Sequence, residues 1–380
     1  MAKRRHNGEG TITQRPGGTW QGRISYIHPQ TGQRKRVSVD GPTAAAVRAK
    51  IKQTRDRLEA GGPPRDATRT VADWLKHWRA TTLAASGRAE STKALYKSLS
   101  RSHLERGPFG ATALDKLRPT DIEALILAMR AKPLSDSTIR STYTVLRLGL
   151  NGAVRDGLLA RNPAALVPSP GMARHEAKYL DADTVAAMLR AAQSSRYHLA
   201  LLLIATTGLR RGEALALAWD QVDLDAGVLK VAATIARIEG RLLISGPKTV
   251  RSRREVPLDP VVVTMLRRHR TAQKQEQLRA GNQWVNTGLV FTTERGTAVD
   301  PNNLLRVAQT AATVASINGV GLHTLRHSAA VAWLESGVHI KAVADLLGHS
   351  SISITGDTYG HTSDTAARAA VEGLGRQLGL

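Results

Sequence analysis

The spacing of apolar side chains changes period along the chain, and the changes mark three stretches. Between residues 10 and 41 the period is two. Trp20, Gly22, Ile24, Tyr26 and His28 fall on one side of a strand, and Arg23, Ser25 and Ile27 on the other, the alternation of a half-buried strand. Turns at Pro16-Gly17-Gly18 and Pro29-Gln30-Thr31-Gly32 flank it, so residues 10–15, 19–28 and 34–39 read as a three-stranded meander. From 43 to 60 the spacing becomes helical, with Ala44, Val47, Ile51, Thr54 and Leu58 on one face, and Gly61-Gly62-Pro63-Pro64 ends it. Residues 70–165 are helical by the same test. Val71, Trp74, Leu75 and Trp78 open a first helix. Ser91 is placed to cap a second around Leu95 and Leu99. A third spans 121–131, and a fourth, capped by Ser135, Asp136 or Ser137, spans 139–157.

The last stretch is mixed. A helix from Asp181 or Asp183 to Ala192 precedes an apolar helix at 199–205, which leads into Thr206-Thr207-Gly208-Leu209-Arg210. Strands are predicted at 228–235, 241–244, 254–258 and 289–292, and helices at 261–278 and 302–316. Leu322, Leu325, Ala329 and Ala332 then form a helical stripe with His323 and Arg326 near its edge. A short helix with Ile340, Val343, Leu346 and Leu347 stops at Gly348, a usual helix-ending residue. Tyr359 follows Thr355-Gly356-Asp357, which reads as a turn. Ala366, Ala367, Ala370, Val371, Leu374 and Leu378 outline an amphipathic helix beyond it. The expected fold is mixed α+β and mainly α. A three-stranded sheet with one helix occupies 1–62, a helical bundle 67–165, and a mainly α domain with a small sheet 175–380.

Charge narrows the function. Lys and Arg number 54 against 31 Asp and Glu, a net +23. Residues 1–66 hold 14 basic against 5 acidic side chains, 67–170 hold 16 against 8, and 171–380 hold 24 against 18. An excess spread over every segment suits a protein that encloses nucleic acid. Cysteine is absent, which excludes disulfides, thiolate metal sites and cysteine nucleophiles. No apolar run reaches the roughly 20 residues of a membrane span. Met1-Ala2-Lys3-Arg4-Arg5 is basic but is followed by no apolar segment, so it is not a secretory signal. A cytoplasmic, nucleoid-associated protein of a bacterial host is the expectation, and the Ala- and Arg-rich composition suggests a high-GC genome.

The chemistry concentrates near the C-terminus. Arginine and imidazole can neutralise a pentacoordinate phosphate, and a phenol can attack it. Four pieces stand in order: Thr207-Gly208-Leu209-Arg210-Arg211-Gly212-Glu213, His323-x-x-Arg326, Leu347-Gly348-His349 and Tyr359. Together they resemble the tyrosine recombinase (phage integrase) family, strongly over the last half of the chain and moderately over the middle. The gap from His349 to Tyr359 is ten positions, where the family more commonly has nine.

The resemblance implies a site-specific recombinase that cuts and rejoins DNA through a 3′-phosphotyrosyl intermediate. Tyr359 would be the nucleophile, and Arg210 and Arg326 would bind the non-bridging phosphate oxygens, with Arg211 the rival to Arg210. Lys248 would be the general acid, with Lys230 its competitor. His323 would assist proton transfer, His349 would hydrogen-bond the phosphate and pack against the tyrosine segment, and Glu213 would orient the site. His327 and His361 would be bystanders. Residues 1–62 are similar to an arm-type DNA-binding domain with Arg15, Arg23, Arg34 and Arg36 as contacts. Residues 67–165 are similar to a SAM-like core-binding domain, where Lys93, Lys97, Arg101, Arg140 and Arg147 are either phosphate contacts or a solvated face. Double-stranded attachment-site DNA is the implied partner, bound by a homotetramer, with an excision directionality factor and a host DNA-bending protein as accessories. No cofactor or metal is expected. The C-terminal helix would dock on a neighbouring protomer or on its own domain. A chromosome-dimer resolving recombinase, a type IB-like topoisomerase and a non-catalytic DNA-binding regulator are the alternatives.

Overall fold

The computed structural model describes residues 11–27, 34–59, 69–159, 161–172, 178–246, 253–349 and 351–359, with backbone alone at Lys35, Arg57, Ile354 and 357–359. His28, the Gly61-Gly62-Pro63-Pro64 linker, Lys248, His361 and the helix expected over 366–378 lie outside the described residues. The chain divides into two compact units, Met1–Arg174 and His175–Leu380.

The first unit holds two separate cores. Strands β1 (Thr11–Gln14), β2 (Trp20–Ile27) and β3 (Arg34–Gly41) form an antiparallel sheet in that order. Ile24 pairs with Val37 in the register, and both are buried with Val39 under Val47 and Ile51 of α1 (Ala44–Glu59). The period-two reading of β2 holds: Arg23, Ser25 and Ile27 are exposed on the opposite face.

The second core belongs to α2 (Val71–Trp78), α3 (Glu90–Leu99), α4 (Gly107–Ala111), α5 (Pro119–Arg130) and α6 (Asp136–Arg155). Thr70 caps α2 through a reciprocal box with Asp73. Trp74, Leu75 and Trp78 pack with Leu146 and Leu150, and Trp74 Nε1 donates to the Gly149 carbonyl at 2.8 Å. Ser91 is not a cap. The helix starts one residue earlier, at Glu90, with Ala89 in the cap position. Ser135 is the cap of α6.

The second unit is built on α7 (Ala182–Ala191), α8 (His198–Thr207), α9 (Arg211–Leu215), α10 (Pro260–Ala280), α11 (Pro301–Val314), α12 (Leu322–Glu335), α13 (Ile340–Leu347) and α14 (Ile352–Tyr359). Leu203, Ile204, Leu215, Leu229, Phe291, Leu304 and Leu325 lie in its core. The run read as one strand over 228–235 is two strands in two sheets. β4 (Val222–Asp223), β5 (Val228–Val231) and β8 (Arg254–Pro257) form one sheet, ordered β4-β5-β8, while β6 (Thr234–Ile238) and β7 (Arg241–Ser245) form a hairpin. Leu229, Val231 and Ile235 are buried in phase across the break, so the alternation conceals it. Ala232 and Ala233 between them have little strand preference and let the chain turn away. The strand expected at 289–292 is reduced to two isolated bridges, Ala218–Leu289 and Thr292–Ala298.

The other departure concerns Tyr359. Thr355-Gly356-Asp357 is no turn but the body of α14, and Tyr359 is that helix's last residue. A helical glycine costs only about 1 kcal/mol relative to alanine. Thr355 is fully buried and bonded to the preceding segment, which anchors the helix despite Gly356.

Candidate active site

The site grows out of two helix ends. Helix α8 stops at Gly208, whose φ of +63° places it in the left-handed region. A Cβ there would lie 2.8 Å from Leu347 Cδ2 and 3.1 Å from Trp333, so only glycine both reverses the chain and lets α12 and α13 approach. The reversal delivers Arg210 to the N-cap of α9. Helix α13 likewise ends at Gly348, with φ +65°, and returns the chain through His349.

Three guanidinium groups meet the end of α13. Arg254 Nε donates to the Leu346 carbonyl at 2.6 Å, Arg326 Nη2 to Leu347 at 2.7 Å, and Arg210 Nη2 to Gly348 at 3.3 Å. The last carbonyls of a helix have no partner within it and carry its negative pole. Three cations from three distant elements thus share three successive acceptors. Arg326 is only 3% exposed and also donates to the Gly208 carbonyl at 2.5 Å. The Arg210 side chain keeps 37% exposure.

Glu213 ties two of these arginines together. Its carboxylate, 7% exposed, accepts from the Arg210 backbone N at 2.9 Å, Arg210 Nη1 at 2.8 Å and Arg254 Nη2 at 2.9 Å. Burial works to raise its pKa, but the hydrogen bond and charge of Arg254 and the donors of Arg210 hold it below the usual carboxylate range.

His349 lies 3.1 Å through Nε2 from Arg326 Nη2 and 2.9 Å through Nδ1 from Thr355 Oγ1. Arginine only donates, so Nε2 accepts, and the proton sits on Nδ1, which donates to Thr355. Burial, then Arg326, Arg210, Arg254 and His327, push its pKa down to about 4. His323 is exposed at the edge of α12. Partial burial and the charges of Arg326, Arg211 and Arg210 hold its pKa below the ordinary value. Both imidazoles are therefore neutral at pH 7.

Arg210, Arg326, His349 and Glu213 thus come together, with His323 beside Arg326 on α12. Arg211 turns away and donates to the Pro301 carbonyl at 3.3 Å. Lys230, the alternative to Lys248, is spent on an exposed pair with Glu255 at 3.2 Å. Among the described residues no group of three His, Asp or Glu side chains could hold a metal ion, and no helix is long and apolar enough to cross a membrane.

The outlying candidates separate into two kinds. Arg23, Arg34 and Arg36 all lie on the sheet face away from α1, because Arg34 and Arg36 pair with the outward Ile27 and Ser25. Arg15 is exposed in the β1–β2 turn. On the bundle, Arg101, Arg140 and Arg147 are exposed and Lys97 is half-buried. Lys93 is folded back, donating to the Ala84 carbonyl and pairing with Glu90, both at 3.0 Å.

Sequence reasoning missed Arg254. It is in phase with the buried Val256 and Leu258, and an arginine on the inward face of a strand was the available signal. Arg253 beside it is exposed.

The histidines predict a pH dependence of stability. His103, His269, His323, His327 and His349 are all held below their ordinary pKa. The unfolded chain, titrating near about 6.5, therefore binds more protons than the folded one as pH falls below that value. Stability is expected to fall between pH 6.5 and about 4, the His349 value. The thermal unfolding midpoint measured across that range checks it, and His349→Gln should flatten the slope.

The chain is similar to known proteins in sequence and in fold. The phage integrase family profile covers residues 178–366, the span from the start of the second unit past Tyr359. The chain belongs to the tyrosine recombinase, or phage integrase, family. This recombinase is 29% identical over 323 residues to a "tyrosine recombinase XerC-like" protein of Caldanaerobacter subterraneus, covering 80% of the chain and 82% of that relative. It is 29% identical over 373 residues to an integrase of Streptomyces ambofaciens, covering 94% of each. The fold matches the Tn1549 transposon integrase solved with a circular intermediate DNA, with a TM-score of 0.65, 21% identity, and coverage of 80% of this recombinase and 99% of that chain.

Proposed function

We propose that this recombinase is the integrase of a mobile element, cutting and rejoining attachment-site DNA through a phosphotyrosine bond. The observation that carries the reading is the convergence of Arg210, Arg326 and neutral His349 on the segment that leads into α14 and Tyr359, with neutral His323 beside Arg326 on α12. Tyr359 attacks the scissile phosphorus, the 3′-phosphate transfers to its oxygen, and the 5′-oxygen leaves. Arg210, part exposed, binds a non-bridging oxygen. Arg326, held behind it, adds charge and fixes His349. Neutral His323 accepts the phenol proton, and Lys248 supplies one to the leaving oxygen. The phosphotyrosyl bond conserves the energy of the broken phosphodiester, so rejoining needs no nucleotide.

Exchange between two duplexes requires four strand cuts, and with one nucleophile per chain the assembly is a homotetramer. Residues 1–62 act as the arm-binding domain, 67–165 as the core-binding domain and 175–380 as the catalytic domain. The outward face carrying Arg23, Arg34 and Arg36 favours an integrase over a chromosome-dimer resolvase, the reading the XerC-like relative would favour. Deleting residues 1–62 is expected to spare binding and cleavage of the core site and to cripple integration. Footprinting checks it: protection outside the core site that survives the deletion removes the arm-binding role.

A further inference from the structure

We propose that Arg254 is a positioning residue of the site, one guanidinium locking the carboxylate that holds Arg210 to the helix end that carries His349. The inference rests on the recombinase reading and concerns a residue that none of the family motifs in this chain contains.

Arg254 contacts two parts of the site at once. Its Nη2 grips Glu213 at 2.9 Å and its Nε the Leu346 carbonyl at 2.6 Å. Glu213 in turn holds Arg210 through both backbone and side chain. Arg254 therefore spans from strand β8 to Glu213 in the first turn of α9 and to the C-terminus of α13. It lies flat against Gly348, where a Cβ would come within 2.9 Å of Nη1 and 3.2 Å of Cδ. Any side chain at 348 would displace it.

The third nitrogen argues against a purely structural residue. Arg254 is 6% exposed, and among the described residues its buried Nη1 has no hydrogen-bond partner. Leaving a buried charged donor unsatisfied is costly, and an aliphatic side chain would fill the space without that cost. Arginine is needed for what the other two nitrogens do at once. Lysine, with a single point of charge, could reach Glu213 or Leu346 but could not span both with a rigid fork.

The test uses the full chain with Arg254→Gln and Arg254→Lys. The probe is a nicked duplex carrying the junction sequence that flanks the gene. Arg254→Gln is expected to bind this duplex as wild type does. It should form the covalent complex on the order of 10²-fold more slowly, the size of effect a displacement near 1 Å produces. Arg254→Lys should recover part of the rate. The readout that a packing role would not move is the His349 titration, followed by ¹³C NMR without DNA. Removing a facing cation while leaving Arg326, Arg210 and His327 in place should raise it above the value near 4. Combining Arg254→Gln with Glu213→Gln should cost much less than the product of the two single losses. A wild-type cleavage rate in folded Arg254→Gln, an unmoved His349, or multiplicative losses overturns the role. If Arg254→Gln does not fold, full-rate cleavage by Arg254→Lys overturns it. Failure of the wild-type protein to form a covalent complex refutes the recombinase reading instead, and the His349 shift still reports on Arg254.

Discussion

Tyr359→Phe is expected to abolish the covalent protein–DNA complex while leaving DNA binding intact. The substitution removes one oxygen and keeps the ring, so the C-terminal turn of α14 has no reason to move. A phenol with a pKa near 10 is a poor nucleophile at neutral pH. It must shed its proton as it attacks, which is why two neutral imidazoles beside two arginines are informative. A charged imidazole could not accept that proton. Trapping on a nicked attachment-site duplex, resolved by denaturing gel, measures the effect, with binding followed by gel shift. Retention of the covalent band in Tyr359→Phe would assign attack to another residue.

Arg326→Ala is expected to lower strand cleavage by a factor on the order of 10²–10³, because it removes the charge behind Arg210 and releases His349, a loss on the scale of removing electrostatic stabilisation of an oxyanion. It should also destabilise the fold, because Arg326 is 3% exposed and its removal strips donors from the Gly208 and Leu347 carbonyls and from His349. Arg210→Ala should separate the two effects. Its side chain is 37% exposed, so cleavage should fall comparably while the melting temperature falls much less. Single-turnover cleavage per folded molecule, set against thermal unfolding of each variant, decides between the two. Equal losses of stability would contradict the assignment of Arg210 to the phosphate. Arg211→Ala serves as the control, since its contact is with the Pro301 carbonyl at the start of α11. A severe loss there and a mild one at Arg210 would exchange their roles.

The periods of the sequence reached the cores. Val47 and Ile51 under the sheet, Trp74 and Leu75 in the bundle, and Leu325 in α12 are all buried where their spacing placed them. Periodicity failed where it carries no information. Alternation stays in phase across Ala232-Ala233, so one strand was read for two. Gly356 and Asp357 have the composition of a turn, and the burial of Thr355 and its bond to His349, six positions earlier, anchor that stretch as a helix. The motifs supplied Arg210, Glu213, His323, Arg326 and His349 as separate points. That three guanidinium groups would converge on consecutive carbonyls could not be read from spacing, because it depends on how β8, α9 and α12 pack around α13. The inward phase of Arg254 was readable but its partners were not, because they are 41 and 92 positions away in the chain.

That convergence sets where the chain can change in length. Inserting one residue within α13 would rotate its final carbonyls by about 100°. All three arginines would lose register together, and His349 would be carried out of reach of Arg326. The same insertion between α12 and α13, where residues 336–339 connect the helices, leaves the helix end where it is. Relatives of this recombinase should therefore differ in the length of that connection and keep the number of residues from Ile340 to Gly348 constant, a constraint imposed by a helix end that serves as a common gauge for three elements.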